Sequence, residues 1–200
     1  MHNLKFPESL LSYVLTFNKA LPESLINLIN HQIFIKTKNN FEKGTVGNTE
    51  SSVIRDDSVR SVEVLGLDEH DIGVSVSNRS IYNKLMTINN TILSLYSSRV
   101  TRFIIPPNRV VFQFLNYTDK IKGHYDFHTD SSFINPRMTT TIISLSDKDE
   151  YEGGELIVGN SEKLKFDKGS GVIFPSNFLY PHKVYPVTKG IRKVLVIWNT

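Results

Sequence analysis

His128-Thr129-Asp130 sets an imidazole and a carboxylate two residues apart, and His182 adds a second imidazole about fifty residues later. In a strand, residues two apart face the same side. His128 and Asp130 would then point at one ion from a single stretch of backbone. Two imidazoles and one carboxylate, with the rest of the coordination sphere open, suit Fe(II). Arg192 follows His182 by ten positions. Its planar fork matches a carboxylate and stays charged at any working pH, so it could hold an oxo acid beside the metal.

The chain has six histidines, and most histidines in most proteins bind no metal. His124 lies four residues before His128 and would compete as a ligand on a helix; Gly123 and the strand-like Tyr125 and Phe127 argue for a strand. There are no cysteines, which excludes disulfides, Cys-ligated zinc and iron–sulfur clusters. Any metal must be held by His and carboxylate. The net charge of +3 arises from 23 basic and 20 acidic residues, with no run of Lys and Arg to mark a nucleic-acid stripe. Met1 to Phe6 lacks the apolar core of a secretory signal, and no stretch approaches the length of a membrane span. A soluble cytoplasmic protein is expected.

These residues need a scaffold. Two hundred residues suggest one domain, 1–200, helical over about 1–100 and β-rich over about 101–200. In the first part, Leu10 to Phe17 is short and apolar, and Pro22 opens a helix that continues through Leu25 to Ile29. Asn39 to Ser52 reads as a mobile loop. A second helix is expected from about Ser80 to Ser98, with Ile81, Leu85, Ile88, Ile92 and Leu95 on one apolar face. After Arg99 come strand-like runs at 110–115, 139–145, 155–158, 171–174 and 192–198, separated by turn clusters such as 147–154 and 159–161. Such a series predicts a sandwich or barrel with helices on one outer face.

The local sequences add a family resemblance. Gly123-His124-Tyr125-Asp126-Phe127-His128-Thr129-Asp130 resembles the first metal motif of the prolyl 4-hydroxylase-type Fe(II)/2-oxoglutarate dioxygenases. Ser146 to Leu156, with Gly153-Gly154-Glu155-Leu156 at its end, is similar to the acidic turn and following strand of their bacterial PKHD-like branch. Phe174-Pro175-Ser176 and the run from His182 through Val184, Pro186, Val187, Thr188, Gly190 and Arg192 to Trp198 resemble that branch's second metal motif. The likeness covers about residues 110–198, and its last segment is the most specific.

The resemblance implies a double-stranded β-helix, the jelly-roll or cupin-like core, supported by the N-terminal helices. It implies His128, Asp130 and His182 as iron ligands, with no catalytic residue beyond them, and Arg192 as the anchor of the distal carboxylate of 2-oxoglutarate. Strand parity agrees: Arg192, Val194, Val196 and Trp198 share one face, and Lys193, Leu195 and Ile197 the other. Tyr117 is the candidate for a second cosubstrate contact, with Tyr125 as its rival. Fe(II), 2-oxoglutarate and O2 are the implied cofactors, with ascorbate a candidate further one. The implied reaction is hydroxylation of an unactivated C–H bond, with a prolyl residue of a peptide or protein as the family's substrate and a small molecule as the alternative.

The sequence departs from the animal members of the family at one place. Ser144 stands roughly where related animal enzymes carry a tyrosine, so one of Thr139, Thr140 and Thr141 becomes a candidate contact instead. A nucleic-acid demethylase of the alkylation-repair type would carry a second arginine six residues after Arg192, where this chain has Trp198. A non-catalytic cupin-like metal binder would not need Arg192. Asn39 to Ser52 and Thr118 to Lys122 are candidate lids, and Gly153-Gly154 reads as a structural turn.

Overall fold

The computed structural model describes residues 9–47, 53–67, 76–100, 107–133 and 135–200. The N-terminal part contributes β1 (Leu15–Phe17), α1 (Glu23–Ile29), β2 (Glu42–Lys43), β3 (Val46–Gly47), β4 (Val53–Ile54), β5 (Arg60–Ser61), β6 (Glu63–Leu67) and α2 (Val76–Val100). The remainder is β7 (Val110–Thr118), β8 (His124–His128), β9 (Thr139–Ser144), β10 (Tyr151–Gly153), β11 (Leu156–Val158), β12 (Gly171–Pro175), β13 (His182–Val184) and β14 (Val187–Asn199). No helix among the described residues is long and apolar enough to cross a membrane.

Two antiparallel sheets build the expected jelly roll. The larger runs β1-β12-β9-β14-β7-β6-β2, with β10 also paired to β14; the smaller runs β11-β13-β8-β5. Leu115, Tyr117, Val172, Phe174, Val194 and Val196 of the large sheet share an apolar core with Leu156, Val158 and Val184 of the small one. Alternate residues of the same large-sheet strands, among them Phe112, Phe114, Ile143, Ile173, Leu195 and Ile197, face the other way and pack on the helices. The large sheet is therefore buried on both faces. Its strands read as near-continuous apolar runs for that reason, which made them visible in the sequence.

The N-terminal half is not simply helical, as its sequence had suggested. It supplies strands to both sheets: β1 pairs with β12, β6 with β7 and β5 with β8. These strands are two to five residues long, too short for a two-residue alternation to emerge from sequence. The expected mobile loop at 39–52 contains β2 and β3, and its residues 48–52 lie outside the described ones.

Pro22 caps α1, which buries Leu25, Ile26 and Ile29 and continues as a π-helical stretch, Asn30–Lys36, that buries Ile33 and Phe34. In α2 the buried face is turned from the expected one. Ile81, Leu85 and Ile92 are buried, but Leu95 is 60% exposed, while Leu93 and Tyr96 are buried in its stead. Asn89 also lies on this face and is fully buried. Its Nδ2 donates to Asn199 Oδ1 at 2.8 Å, and Asn199 Nδ2 donates to Thr139 Oγ1 at 3.0 Å. A polar residue on the buried stripe is invisible to a hydrophobic pattern, and the helix docks about one position away from where its apolar residues alone would place it. Asn89→Ala leaves the Asn199 amide short of a partner in a sealed interface. The expected cost is about 1–3 kcal/mol, read as a lower urea midpoint with an unchanged slope.

Candidate metal and oxo-acid site

Strand pairing brings the sequence-distant ligand candidates together. β13 pairs with β8 in a register that sets His182 opposite His128. Asp130 lies just past the end of β8, where the chain turns toward β9. The ligand atoms of His128, Asp130 and His182 all lie within 4.8 Å of one another, a group that could hold a metal ion. His128 Nε2 is 3.7 Å from Asp130 Oδ1, and His182 Nε2 is 3.4 Å from Asp130 Oδ2.

Each of the three side chains is oriented by a further contact. His128 Nδ1 is 2.7 Å from the Asp126 carbonyl, and His182 Nδ1 is 3.3 Å from the Tyr180 carbonyl. A carbonyl only accepts, so Nδ1 carries the proton and Nε2 keeps its lone pair for a metal. The Tyr125 ring stacks on the His128 ring at 3.4 Å between centroids. Thr140 Oγ1 donates to Asp130 Oδ2 at 2.7 Å and lies 2.8 Å from Ser176 Oγ. Thr140 has one hydroxyl proton and gives it to the carboxylate, so Ser176 donates to Thr140.

The electrostatics follow from burial. Desolvation and the neighbouring His182 push the His128 imidazolium down to about 3, so the ring is neutral. Burial works against charge on Asp130 as well, but His182, His128 and the Thr140 hydroxyl together hold its carboxyl well below the usual carboxylate range. A neutral His128 imidazole and an ionised Asp130 carboxylate are the protonation states that metal ligation requires of these two groups.

Arg192 lies on the inner face of β14 and is 3% exposed. Its Nη1 is buried and has no hydrogen-bond partner among the described residues. An unpaired buried guanidinium nitrogen is costly, and a carboxylate is the ligand that would relieve it. Tyr117 stands directly across the β7–β14 pair from Arg192, with the guanidinium carbon 5.1 Å from its ring centroid. Lys193 points to the other face, its ammonium 5.0 Å from the Phe34 ring, as strand parity requires.

The other sequence candidates separate cleanly. Tyr117 joins Arg192, whereas Tyr125 packs on His128. The His124 ring nitrogens lie 2.9 Å from the Lys122 carbonyl and 3.1 Å from the Ser58 carbonyl, away from the triad. His31 is exposed, and His2 and His70 lie outside the described residues. The segment 118–122, expected as a lid, is a single 3-10 turn, Asp119–Ile121. The Gly190 amide donates to Asp119 Oδ2 at 2.9 Å and ties this turn to β14. This bond ties the turn that follows Tyr117 to the strand that carries Arg192. Gly153 and Gly154 both have positive φ, as a structural turn demands. Gly154 also shapes the site, because a Cβ there would lie 2.9 Å from Arg192 Cδ and 3.2 Å from Tyr151 Cε2.

Of the three threonines, only Thr140 points into the barrel, and it holds Asp130. Thr139 accepts from Asn199 on the helix side, and Thr141 pairs with Ile173 and Ile197, which face the helices. The sequence reading missed Arg137 and Tyr151. Arg137 Nη1 donates to the Asp130 carbonyl at 3.1 Å, and the guanidinium lies 3.6 Å from the Trp198 ring centroid. Its only sequence signal was proximity to Asp130 in a segment with no pattern. Tyr151 lay inside a segment read as a turn cluster, but it forms β10 and is 4% exposed.

Fold and site together define a jelly roll with a candidate metal site, and the comparisons with known proteins add to that picture. Residues 112–200 match the model of the 2OG-Fe(II) oxygenase superfamily. A PKHD-type hydroxylase of Alteromonas mediterranea is 35% identical over 85 residues, covering 37% of this chain and 37% of that protein. One of Prochlorococcus marinus is 34% identical over 130 residues, covering 58% of each. The chain thus spans between about two fifths and three fifths of the length of these relatives. Among solved structures, a Pseudomonas putida prolyl-4-hydroxylase superposes with a TM-score of 0.68 at 15% identity, covering 94% of this chain and 91% of that one. A Trichoplax adhaerens prolyl hydroxylase, in complex with a hypoxia inducible factor peptide fragment, gives a TM-score of 0.69 at 15% identity, covering 94% and 83%. At that identity the superpositions speak for the fold, which is the prolyl-hydroxylase jelly roll over nearly the whole described chain.

Proposed function

We propose that the protein is an Fe(II)- and 2-oxoglutarate-dependent dioxygenase that hydroxylates a prolyl residue in a peptide or protein. The carrying observation is a triad of two imidazoles and one carboxylate in the same barrel as a buried arginine with an unpaired Nη1. In this reading His128, Asp130 and His182 hold the iron, Arg192 pairs with the distal carboxylate of 2-oxoglutarate, and Tyr117 packs beside it. Bound there, iron, oxo acid and O2 supply the oxidising chemistry: 2-oxoglutarate becomes succinate and CO2, and one oxygen atom enters a C–H bond of the substrate. The protein's share is geometry, charge and exclusion of water. The Asp126 and Tyr180 carbonyls aim the two Nε2 atoms, Thr140 and Arg137 fix Asp130, and the apolar walls around Val172, Phe174 and Val196 keep the interior dry.

The peptide substrate is supported by the PKHD-type relatives and by the peptide-bound Trichoplax neighbour. Trp198, where the alkylation-repair type carries its second arginine, weighs against a nucleic-acid substrate. The single-domain reading of 1–200 is supported by the N-terminal strands that extend both sheets. Ascorbate as a further cofactor and a cytoplasmic setting belong to the same proposal. Succinate formation from 2-oxoglutarate and Fe(II), measured with proline-containing peptides, free amino acids and ascorbate omission as arms, tests it. Peptide-dependent succinate with a mass gain of one oxygen on proline is expected. Turnover with free amino acids alone would replace the peptide assignment, and no succinate in any arm would overturn the enzyme assignment.

A further inference from the structure

All three exposed phenylalanines among the described residues stand beside the candidate metal ligands in the chain. Phe127 precedes His128 by one residue, Phe133 follows Asp130 by three, and Phe178 precedes His182 by four. Phe127 ends β8 with Lys183 Nζ 5.5 Å from its ring centroid. Phe133 and Phe178 are carried by the loops 131–138 and 176–181 and are 103% and 79% exposed. Met138 and Leu179, in the same two loops, are exposed as well.

Hydrogen bonds join these loops into one unit at the edge of the metal site. The Ser131 amide donates to the Ser176 carbonyl at 3.0 Å, and the Ser176 amide donates to the Met138 carbonyl at 3.0 Å. The Ser176 hydroxyl reaches Thr140, which holds Asp130. Within each loop, the Arg137 amide donates to Ser131 Oγ at 3.1 Å, and the Leu179 amide donates to Asn177 Oδ1 at 3.0 Å. The backbone that carries the two rings is therefore tied to the metal ligands. The only charged residue in the two loops is Arg137, whose guanidinium is engaged by the Asp130 carbonyl and the Trp198 ring.

Large apolar side chains gathered in water at the edge of a site mark a binding surface. We propose that Phe133 and Phe178, with Met138 and Leu179, form an apolar dock for the polypeptide substrate, taking leucine-like or aromatic side chains that flank the residue to be modified. This rests on the peptide reading of the site. A charged flank finds no partner in these loops. A membrane surface calls for basic residues around the apolar ones, and the one cation here is engaged. A second copy of the chain needs about 800 Å² from each partner, whereas two phenylalanine rings offer roughly 300–500 Å². A short apolar segment of chain needs no more than that.

The test is a fluorescence-anisotropy titration of labelled short peptides onto protein loaded with Mn(II) and 2-oxoglutarate. One peptide carries leucine on both sides of a central proline, a second carries serine there, and a third glutamate. Wild type should bind the leucine peptide roughly 10-fold or more tightly than either other. Phe133→Ser and Phe178→Ser should each lose most of that preference. Ile35→Ser, which removes an exposed apolar side chain from the π-helical stretch, should keep it. Affinity for Mn(II) and for 2-oxoglutarate should be the same in all four proteins. No preference for leucine in wild type, or a preference that survives both phenylalanine substitutions, would overturn the proposal. A wild-type dimer in sedimentation that Phe133→Ser dissolves would also overturn it, by assigning the loops to a second copy. Oxygen insertion is read separately by mass with Fe(II). A leucine peptide that docks through Phe133 and Phe178 and gains no oxygen leaves the dock standing and removes the prolyl hydroxylation reading.

Discussion

Asp130→Ala is expected to abolish succinate formation and to remove high-affinity metal binding. Asp130 is the only carboxylate of the triad and sits beside two imidazoles. Its loss leaves no anionic ligand to offset the ion. The contrast that gives this meaning is Thr140→Val, which keeps the carboxylate and deletes only the 2.7 Å hydrogen bond that orients it. Loss of such an outer partner costs roughly 10- to 100-fold in metal affinity. Asp130→Ala should exceed that range, with turnover at the level of metal-free protein. Mn(II) titration followed by EPR, together with succinate assays, checks both. An Asp130→Ala protein that binds metal as wild type does would remove Asp130 from the ligand set.

Arg192→Met carries the second large effect. Methionine fills much of the aliphatic volume against Gly154 and Val187 and removes the charge. Truncating one partner of a buried charge pair costs about 2–5 kcal/mol, so 2-oxoglutarate affinity should fall on the order of 10²-fold or more. Metal affinity should hold, because Arg192 is not one of the grouped ligand residues His128, Asp130 and His182. Lys193→Met is the control. Lys193 lies half-buried over Phe34 on the helix side, where burial lowers its pKa, and its loss should leave cosubstrate binding unchanged. Equal 2-oxoglutarate affinity in wild type and Arg192→Met would move the carboxylate anchor elsewhere.

How much of this was readable beforehand depended on what kind of pattern each part leaves. The clustering of His128, Asp130 and His182 and the inward burial of Arg192 were legible because residue types suited to a metal and a carboxylate are few and their parity along strands is fixed. The long strands β7, β9 and β14 were legible because both faces are buried and their apolar runs are continuous. The strands of the N-terminal half were not, because two or three residues carry no period. Asn89 was hidden for the opposite reason, since a polar residue on a helix reads as surface until its partner Asn199 is seen. Tyr151 was masked by acidic and glycine neighbours that look like a turn, and Arg137 by a segment with no periodicity at all. Each missed residue is defined by a partner distant in sequence, such as Asn199, Trp198 or Arg192, and one-dimensional patterns do not encode such pairs.

The two-sidedness of β14 reaches beyond folding. From Arg192 to Trp198 the strand alternates between side chains that line the reaction chamber and side chains that anchor the helical layer. Selection for a new reaction and selection for robustness therefore act on alternate codons of one short stretch of gene. Variants gathered for one purpose can accumulate there without spending positions needed for the other, and a lineage could change its chemistry while keeping its scaffold.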